Sequence, residues 1–598
     1  MKKYTIEELT KIFEKYQGRK VTYTAADRER ILNNPALKPN LDSIKEGYEE
    51  YTASKTVALP FSAYKRFFID GDRKDGEYWY YYNRRKLGVC ALMAWLYGEE
   101  EYISQLEDIL WAIMDEYVWN IPAHMGKIGG LTDYQPDDFS LDLFSSETCM
   151  VISQIIANLG DKMEPIVSIR ARRLLEDRCF KVFDKPYWWK KSTNNWSAVC
   201  AGQIGHTAFF AGKEPAELAR IIYGCLDAFE YFLQGFMDDG ACTEGLGYWG
   251  YGFGNYAYFG DLLYTYTDGE INLFEDEKIR RIAAFPHKCF FKGGKKITFS
   301  DCGASDKGTF SLPLTMTLNK YFPEITLPEP SLVDSCCGNG YRFSFFVAMK
   351  TLTLMPDLQG GKPLDIAGKT YIFPDAQWYI SSSKGGMGIA AKGGHNNEAH
   401  NHNDIGTFHI YKNNANLISD IGAGVYRAGY FTNHIRYKNF ACSSEGHSVP
   451  IIDGTYQMYG REHEARDVVI SEESGISMDI ASAYTLEGLE SLVRRIYLNN
   501  DEERVYLSDT YRFKESPKSV TERFISYHEP KIEDGRVTIE ANGEVLLFGY
   551  DECALKPTVR VYEDVDCLVR HTPGFKAYMV DFEVINPAKE FTVSITFE

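Results

Sequence analysis

At 598 residues the chain is longer than one hydrophobic core usually supports, so two or three domains are expected, and 44% apolar content gives each a core. A net charge of −19 argues against nucleic acid as the main partner, because phosphate binding needs an extended basic face; a short acidic oligosaccharide, held by a few local Arg and Lys, is compatible. There is no run of about 18 uncharged apolar residues to span a bilayer. The opening Met1-Lys2-Lys3-Tyr4-Thr5-Ile6 lacks a secretory apolar run, so no membrane partner and a cytoplasmic location are expected. Thirteen scattered cysteines, with only Cys336 and Cys337 adjacent, fit a reducing compartment.

From about residue 78 to about 320, apolar residues recur at spacings of three and four. This predicts helices over Tyr78–Tyr97, Tyr102–Val118, Glu147–Leu159, Ala198–Phe210 and Ala216–Phe236, a series of antiparallel pairs that forms a solenoid or closes into a ring. Pro323, Pro328 and Pro330, followed by Cys336-Cys337-Gly338-Asn339-Gly340, read as a connector, with one more helix near Phe345–Thr353. From about Ala367 the pattern alternates in short strands: Gln377–Ser381, Arg494–Leu498 paired with Arg504–Leu507, and Val537–Glu540. The expected division is a helical domain over 1–360 and an antiparallel β domain over 361–598.

Seven of the twelve histidines lie between His395 and His463, centred on His395-Asn396-Asn397-Glu398-Ala399-His400-Asn401-His402-Asn403-Asp404. An extended backbone there places His400, His402 and Asp404 on one face and Asn401 and Asn403 on the other. A metal could take one or both histidines and complete its shell from Asp420 and His447. A lone His-x-His is more often a hydrogen-bonded surface turn; the density of His, Asn and Asp shifts the balance, because so many polar groups in a core-forming β region need a partner.

A second constellation lies in the helical half: Thr193-Asn194-Asn195-Trp196-Ser197 at a helix start, then Asp239-Gly240-Ala241-Cys242-Thr243-Glu244-Gly245-Leu246-Gly247-Tyr248-Trp249-Gly250-Tyr251-Gly252. Taken alone, Asn194 or Asn195 reads as a helix cap, and Tyr248, Trp249 and Tyr251 serve equally well as packing aromatics.

In spacing, Asn-Asn-Trp, Asp-Gly with Glu-Gly and Gly-Tyr-Trp-Gly-Tyr, His-Asn-His-Asn-Asp, Ser-Asp and His-Ser-Val together resemble the heparinase II/III type of polysaccharide lyase and its alginate- and glycosaminoglycan-lyase relatives, over roughly residues 75 to 598. The resemblance implies an incomplete (α/α) toroid followed by an antiparallel β-sandwich-like domain, with the active site in the groove between them. It implies Asn195, with Asn194 the adjacent possibility, as the group neutralising a uronate carboxylate. Tyr251 is the best match to the catalytic tyrosine with Tyr248 its rival, and His400 matches the catalytic histidine. His402, Asp420 and His447 match ligands of a divalent metal, zinc or manganese. Some relatives carry a histidine directly after the asparagine; here that position is Trp196.

These residue types suit β-elimination. Negative charge develops on the uronate carboxylate as the C5 proton leaves, and preorganised donors there are worth several kcal/mol. A tyrosine of ordinary pKa about 10 needs a nearby cation or donor to act as base, for which Arg427, Arg436 and Lys438 are candidates. Asn194, Trp196, Trp249, Glu244, Arg427 and Arg436 are expected to bind the acidic oligosaccharide or polysaccharide, and a homo-oligomer is compatible with the sequence. The enzymatic alternative is an (α/α)-toroid glycoside hydrolase, which needs two flanking carboxylates from such residues as Asp138, Asp239 and Glu244. The non-enzymatic alternative is a carbohydrate-binding protein without chemistry.

Overall fold

The computed structural model describes residues 2–56, 58–130, 139–303, 310–329, 344–358, 361–362, 364–563 and 576–598. They fall into two compact units, one of residues 1–235, 250–276 and 310–362, the other of residues 236–249, 277–309 and 363–598. The last crossing between the units falls between residues 362 and 363, and two earlier stretches, 236–249 and 277–309, group with the C-terminal unit. The Cys336–Gly340 turn and Asp138 lie outside the described residues.

The first unit is helical, and its helices divide by how much of their circumference they bury. Asn195–Phe210 buries every residue but Trp196, and Leu143–Leu159 buries nearly all of its length. Ile6–Lys15 buries only Leu9 and Phe13, and Pro215–Gln234 buries one stripe. Helices apolar all round lie inside, and those with a single apolar stripe cover them. Asn195–Phe210 packs on both Leu143–Leu159 and Pro215–Gln234, and Pro215–Gln234 on Ile6–Lys15, giving the inner and outer layers of an incomplete (α/α) toroid. Close approach is bought by glycine: a Cβ on Gly202 would sit 2.9 Å from the Asn255 carbonyl oxygen.

The predicted helices are present with shifted ends. Lys74–Leu96 begins four residues before Tyr78, because its polar first turn carries no apolar periodicity, and Glu100–Met114 ends before Val118. Leu143–Leu159 starts at the capping box of Asp142 and Ser145. Among the described residues no helix is long and apolar enough to cross a membrane. The described cysteines are all free thiols.

Half-buried Glu147 in this helix has its carboxyl pushed up from 4.5 to about 7 by burial, against the opposing pull of Arg84. An acid with a raised folded pKa holds its proton more tightly in the native state. Its contribution is therefore fully present below 4.5 and is lost as pH rises to about 7. Glu147→Gln is expected to raise Tm at pH 8 and leave it unchanged at pH 4, read by circular dichroism melts; equal effects at both pH values would contradict this.

The second unit is built on antiparallel sheets. A five-stranded sheet runs Lys369–Phe373, Trp378–Ser382, Met387–Lys392, Phe408–Lys412 and Ala415–Ile418 in sequential order. An eight-stranded sheet contains the predicted hairpin, Leu489–Asn499 against Arg504–Phe513 with Asn499 opposite Arg504, and the strand Arg536–Ala541. A four-stranded sheet holds Val520–Ser526 between Ile451–Ile452 and Ala577–Val584. Side chains of Leu492, Ile496, Leu498, Val505 and Leu507 join Phe408, Phe524 and Phe597 in one core.

One inward position of that hairpin is Arg494, with no exposed surface. Its guanidinium pairs with Asp509, reaches Glu522, and donates to the carbonyls of Gly406 at 2.9 Å and Ser448 at 2.8 Å. Five donors in a fixed fork suit such a multi-partner role. The two carbonyls belong to the loops that carry Asp404 and His447, so the sandwich core anchors both.

Candidate active site and metal centre

The polar segment 397–407 is a turn, and His400 takes the left-handed φ of 57°. The expectation that His400, His402 and Asp404 share one face of an extended segment is thereby corrected: this backbone sends His400 and His402 to different surroundings. His402 and Asp404 do meet, joined by Asp420 and His447.

His400 sits 12% exposed beside the segment Phe236–Trp249. Its Nδ1 donates to Glu244 Oε2 at 2.7 Å, which leaves Nε2 as the functional nitrogen. Its ring stacks on Tyr248, centroids 3.8 Å apart and planes 11° from parallel, with Phe431 edge-on at 5.5 Å. The Tyr248 and Tyr426 hydroxyls share a hydrogen bond of 2.7 Å, and Tyr426 donates onward to Asp301 Oδ2 at 3.3 Å.

Asp301 is the hub that sequence reasoning missed. Its carboxylate also accepts from Tyr430 at 3.0 Å, from His402 Nε2 at 3.1 Å and from Arg436 Nη2 at 3.0 Å. Burial works against its charge, but the Arg436 guanidinium and the His402 ring hold the Asp301 carboxyl well below the usual carboxylate range. Nothing in Phe299-Ser300-Asp301-Cys302 forms a recognisable motif; the one local mark is the left-handed φ of 63° at Ser300, which sequence does not reveal.

His402, Asp404, Asp420 and His447 are all buried, each offering a ligand atom within 4.8 Å of the others. Their hydrogen bonding tests whether they suit a metal. One atom of each is engaged: His402 Nε2 with Asp301, Asp404 Oδ1 with Lys392 Nζ at 2.7 Å, Asp420 Oδ1 with the Gly422 N–H at 2.8 Å, His447 Nε2 with the Ala441 carbonyl at 3.2 Å. The other atom of each, His402 Nδ1, Asp404 Oδ2, Asp420 Oδ2 and His447 Nδ1, is buried without a hydrogen-bond partner. The 3.1 Å approach of His447 Nδ1 to Asp420 Oδ2 is a contact without hydrogen-bond alignment. Four convergent orphans, each steadied from behind, are the donor pattern of a metal site. Asp301, His402 and Cys442 form a second, overlapping set. Buried His409 lies beside the centre with neither ring nitrogen hydrogen-bonded, its pKa pushed down to about 4 by burial.

The remaining expected residues divide. Arg436 is only 4% exposed and spent on Asp301 and the Asn401 carbonyl, and Trp249 is 8% exposed with its indole N–H on the Ile282 carbonyl. Both are corrected from substrate contacts to internal supports. Glu244 is committed to His400, while Arg427 and Lys438 are exposed. In the helical unit Asn194 caps its helix, accepting from the Trp196 N–H at 3.1 Å, and Asn195 is buried with its Oδ1 unpartnered. Tyr251 is half-buried on the helix Leu246–Tyr266, its carbonyl accepting from Asn255. Of the carboxylates named for a hydrolase, Asp239 accepts the backbone N–H groups of Ala241, Asp375 and Ala376.

Residues 371–548 match the family described as Heparinase II/III-like, C-terminal. This stretch is a heparinase II/III-like domain. It holds His400, His402, Asp404, Asp420 and His447, while Glu244, Tyr248 and Asp301 come from earlier segments of the same compact unit. Among solved structures, a heparan sulfate lyase from Pedobacter heparinus aligns over 99% of this chain and 88% of its own at 13% identity, TM-score 0.58. A heparinase III aligns over 94% and 91% at 15% identity, TM-score 0.60. A chondroitin AC lyase variant from Streptomyces coelicolor A3 aligns over 96% and 82% at 11% identity, TM-score 0.53. These likenesses extend the shared fold beyond the heparinase II/III-like domain to the helical unit. No curated protein matches the chain.

Proposed function

We propose that the protein is a polysaccharide lyase that cleaves uronic-acid-containing glycans of glycosaminoglycan or alginate type by β-elimination, leaving an unsaturated uronate end. The observation that carries this reading is the Tyr248–His400 stack, with His400 oriented by Glu244 and the Tyr248 hydroxyl held by Tyr426. Elimination needs a base for the C5 proton and an acid for the departing O4, and a tyrosine performs both when it takes the first proton and returns it to the second. When Tyr248 is charged, Tyr426 turns its single O–H from Asp301 to the Tyr248 oxygen and steadies it. The His400 Nε2 serves as base for the opposite C5 epimer, with the neutral Tyr248 hydroxyl giving its proton to the departing O4.

His402, Asp404, Asp420 and His447 would hold zinc or manganese. Such an ion supplies charge neutralisation and cross-linking, fixing the loop on which His400 stands. The protein acts in the cytoplasm on short acidic oligosaccharides.

The test is the ultraviolet absorbance of the conjugated uronate over alginate, hyaluronan, chondroitin, dermatan and heparan oligosaccharides. A rise with at least one substrate is expected. New reducing ends without absorbance would replace the lyase with a hydrolase.

A further inference from the structure

The start of the helix Asn195–Phe210 carries a group of side chains that the chemistry above does not use. His124 is 13% exposed, and its Nδ1 lies 2.7 Å from Oδ2 of Asp142, itself 5% exposed. Asp142 Oδ1 caps the helix Leu143–Leu159, accepting from the N–H groups of Phe144 and Ser145. Both oxygens of Asp142 face donor positions, Oδ1 two backbone N–H groups and Oδ2 the imidazole, so His124 is assigned the tautomer in which Nδ1 donates. The Nε2 is left as an acceptor, and it has no hydrogen-bond partner among the described residues.

Aromatic rings flank this imidazole. Trp196 lies 4.6 Å from it and Phe144 5.3 Å, and Trp188 stands 4.9 Å beyond Trp196. Trp188 is 59% exposed, and Trp196 is the one residue of its helix that is not buried. The exposed indole of Trp188 beside the half-buried one of Trp196 offers a flat apolar platform with a polar edge. Adjacent Asn195 adds a buried, unpartnered amide oxygen.

We propose that Trp188, Trp196 and His124 form a saccharide subsite on the helical unit. The apolar face of a pyranose ring lies on the two indoles, and one of its hydroxyls donates to His124 Nε2. Asp142 is a positioning residue that fixes the tautomer of His124. The identity of the sugar as part of an acidic glycan rests on the lyase reading; the stacking and the hydrogen bond do not.

The experiment titrates the full chain, carrying Tyr248→Phe so that ligand is not consumed, with chondroitin, heparan and alginate tetrasaccharides, following tryptophan fluorescence and calorimetric Kd. Trp188→Ala and His124→Leu are each expected to weaken binding about tenfold, the scale of one lost hydrogen bond or ring contact. Asp142→Asn keeps the helix cap, since Asn caps as well as Asp, but turns an amide donor toward Nδ1 and moves the imidazole proton to Nε2. It is expected to leave Tm unchanged and weaken Kd about as much as His124→Leu. His124→Gln, which restores an acceptor, is expected to recover part of the loss. Kd values within twofold of the parent in Trp188→Ala and Asp142→Asn, or no binding by any tetrasaccharide, overturn the proposal. Failure of the lyase reading is judged separately, by absent ultraviolet absorbance with the unsubstituted chain.

Discussion

Tyr248→Phe is expected to lower kcat for unsaturated-uronate formation by about 10³-fold or more, within or above the usual worth of a positioned acid–base group. The substitution removes one oxygen and leaves the ring, so the stack on His400 persists and the loss reads as chemistry. Tyr251→Phe is expected to change kcat less than tenfold, because Tyr248 is the tyrosine whose ring lies on His400 and whose hydroxyl meets Tyr426. His400→Ala acts through the other proton-transfer group. Its loss should fall most heavily on substrates of one C5 epimer, whereas Tyr248→Phe, which removes the acid for O4 in either case, falls on both. The measurement is initial rate by ultraviolet absorbance on epimeric pairs such as chondroitin and dermatan. Loss in Tyr251→Phe with retention in Tyr248→Phe would transfer the role to Tyr251.

The two tyrosines show where sequence reading stops. They lie three residues apart, on neighbouring positions of one helix surface, and motif spacing ranks Tyr251 first without seeing what either hydroxyl touches. The ring contact with His400 and the bond to Tyr426 span more than 150 residues of chain. The same limit hid Asp301, which gathers His402, Tyr426, Tyr430 and Arg436 from a segment with no motif of its own. The order of helices then strands was legible because period 3.6 and period 2 are local properties of the chain. So was the clustering of His402, Asp420 and His447, because polar residues are dense where a β core should be apolar. His400 was misread in direction for a backbone reason: one left-handed residue breaks the alternation on which the shared-face argument depended. Arg436 and Trp249 carry side chains that suit a sugar equally well, and only burial shows that they face inward.

Chelation is expected to lower Tm by about 10 °C or more, and readdition of zinc or manganese to restore it. Four buried ligand atoms without hydrogen bonds are an unmet cost of several kcal/mol in the metal-free chain, since each orphaned polar atom costs about 1–3 kcal/mol. For domains of 150–250 residues each kcal/mol is worth about 2–4 °C. Asp404 decides between two kinds of centre. With three protein ligands, His402, Asp420 and His447, a coordination position stays open and Asp404→Asn retains the ion. With Asp404 as the fourth, the shell is closed by protein, and Asp404→Asn is expected to reduce the bound metal from one equivalent to well below half, lowering Tm as His447→Ala does. Tyr248→Phe serves as the control that loses turnover and keeps both metal and Tm. Metal content by mass spectrometry of the purified variants separates these cases. A native chain that holds no metal after incubation with zinc or manganese, and whose Tm no chelator moves, would show the four orphans to be satisfied by something other than an ion. Because both histidines must be neutral to bind, affinity should fall as pH is lowered, and the chelator-sensitive part of Tm should shrink with it.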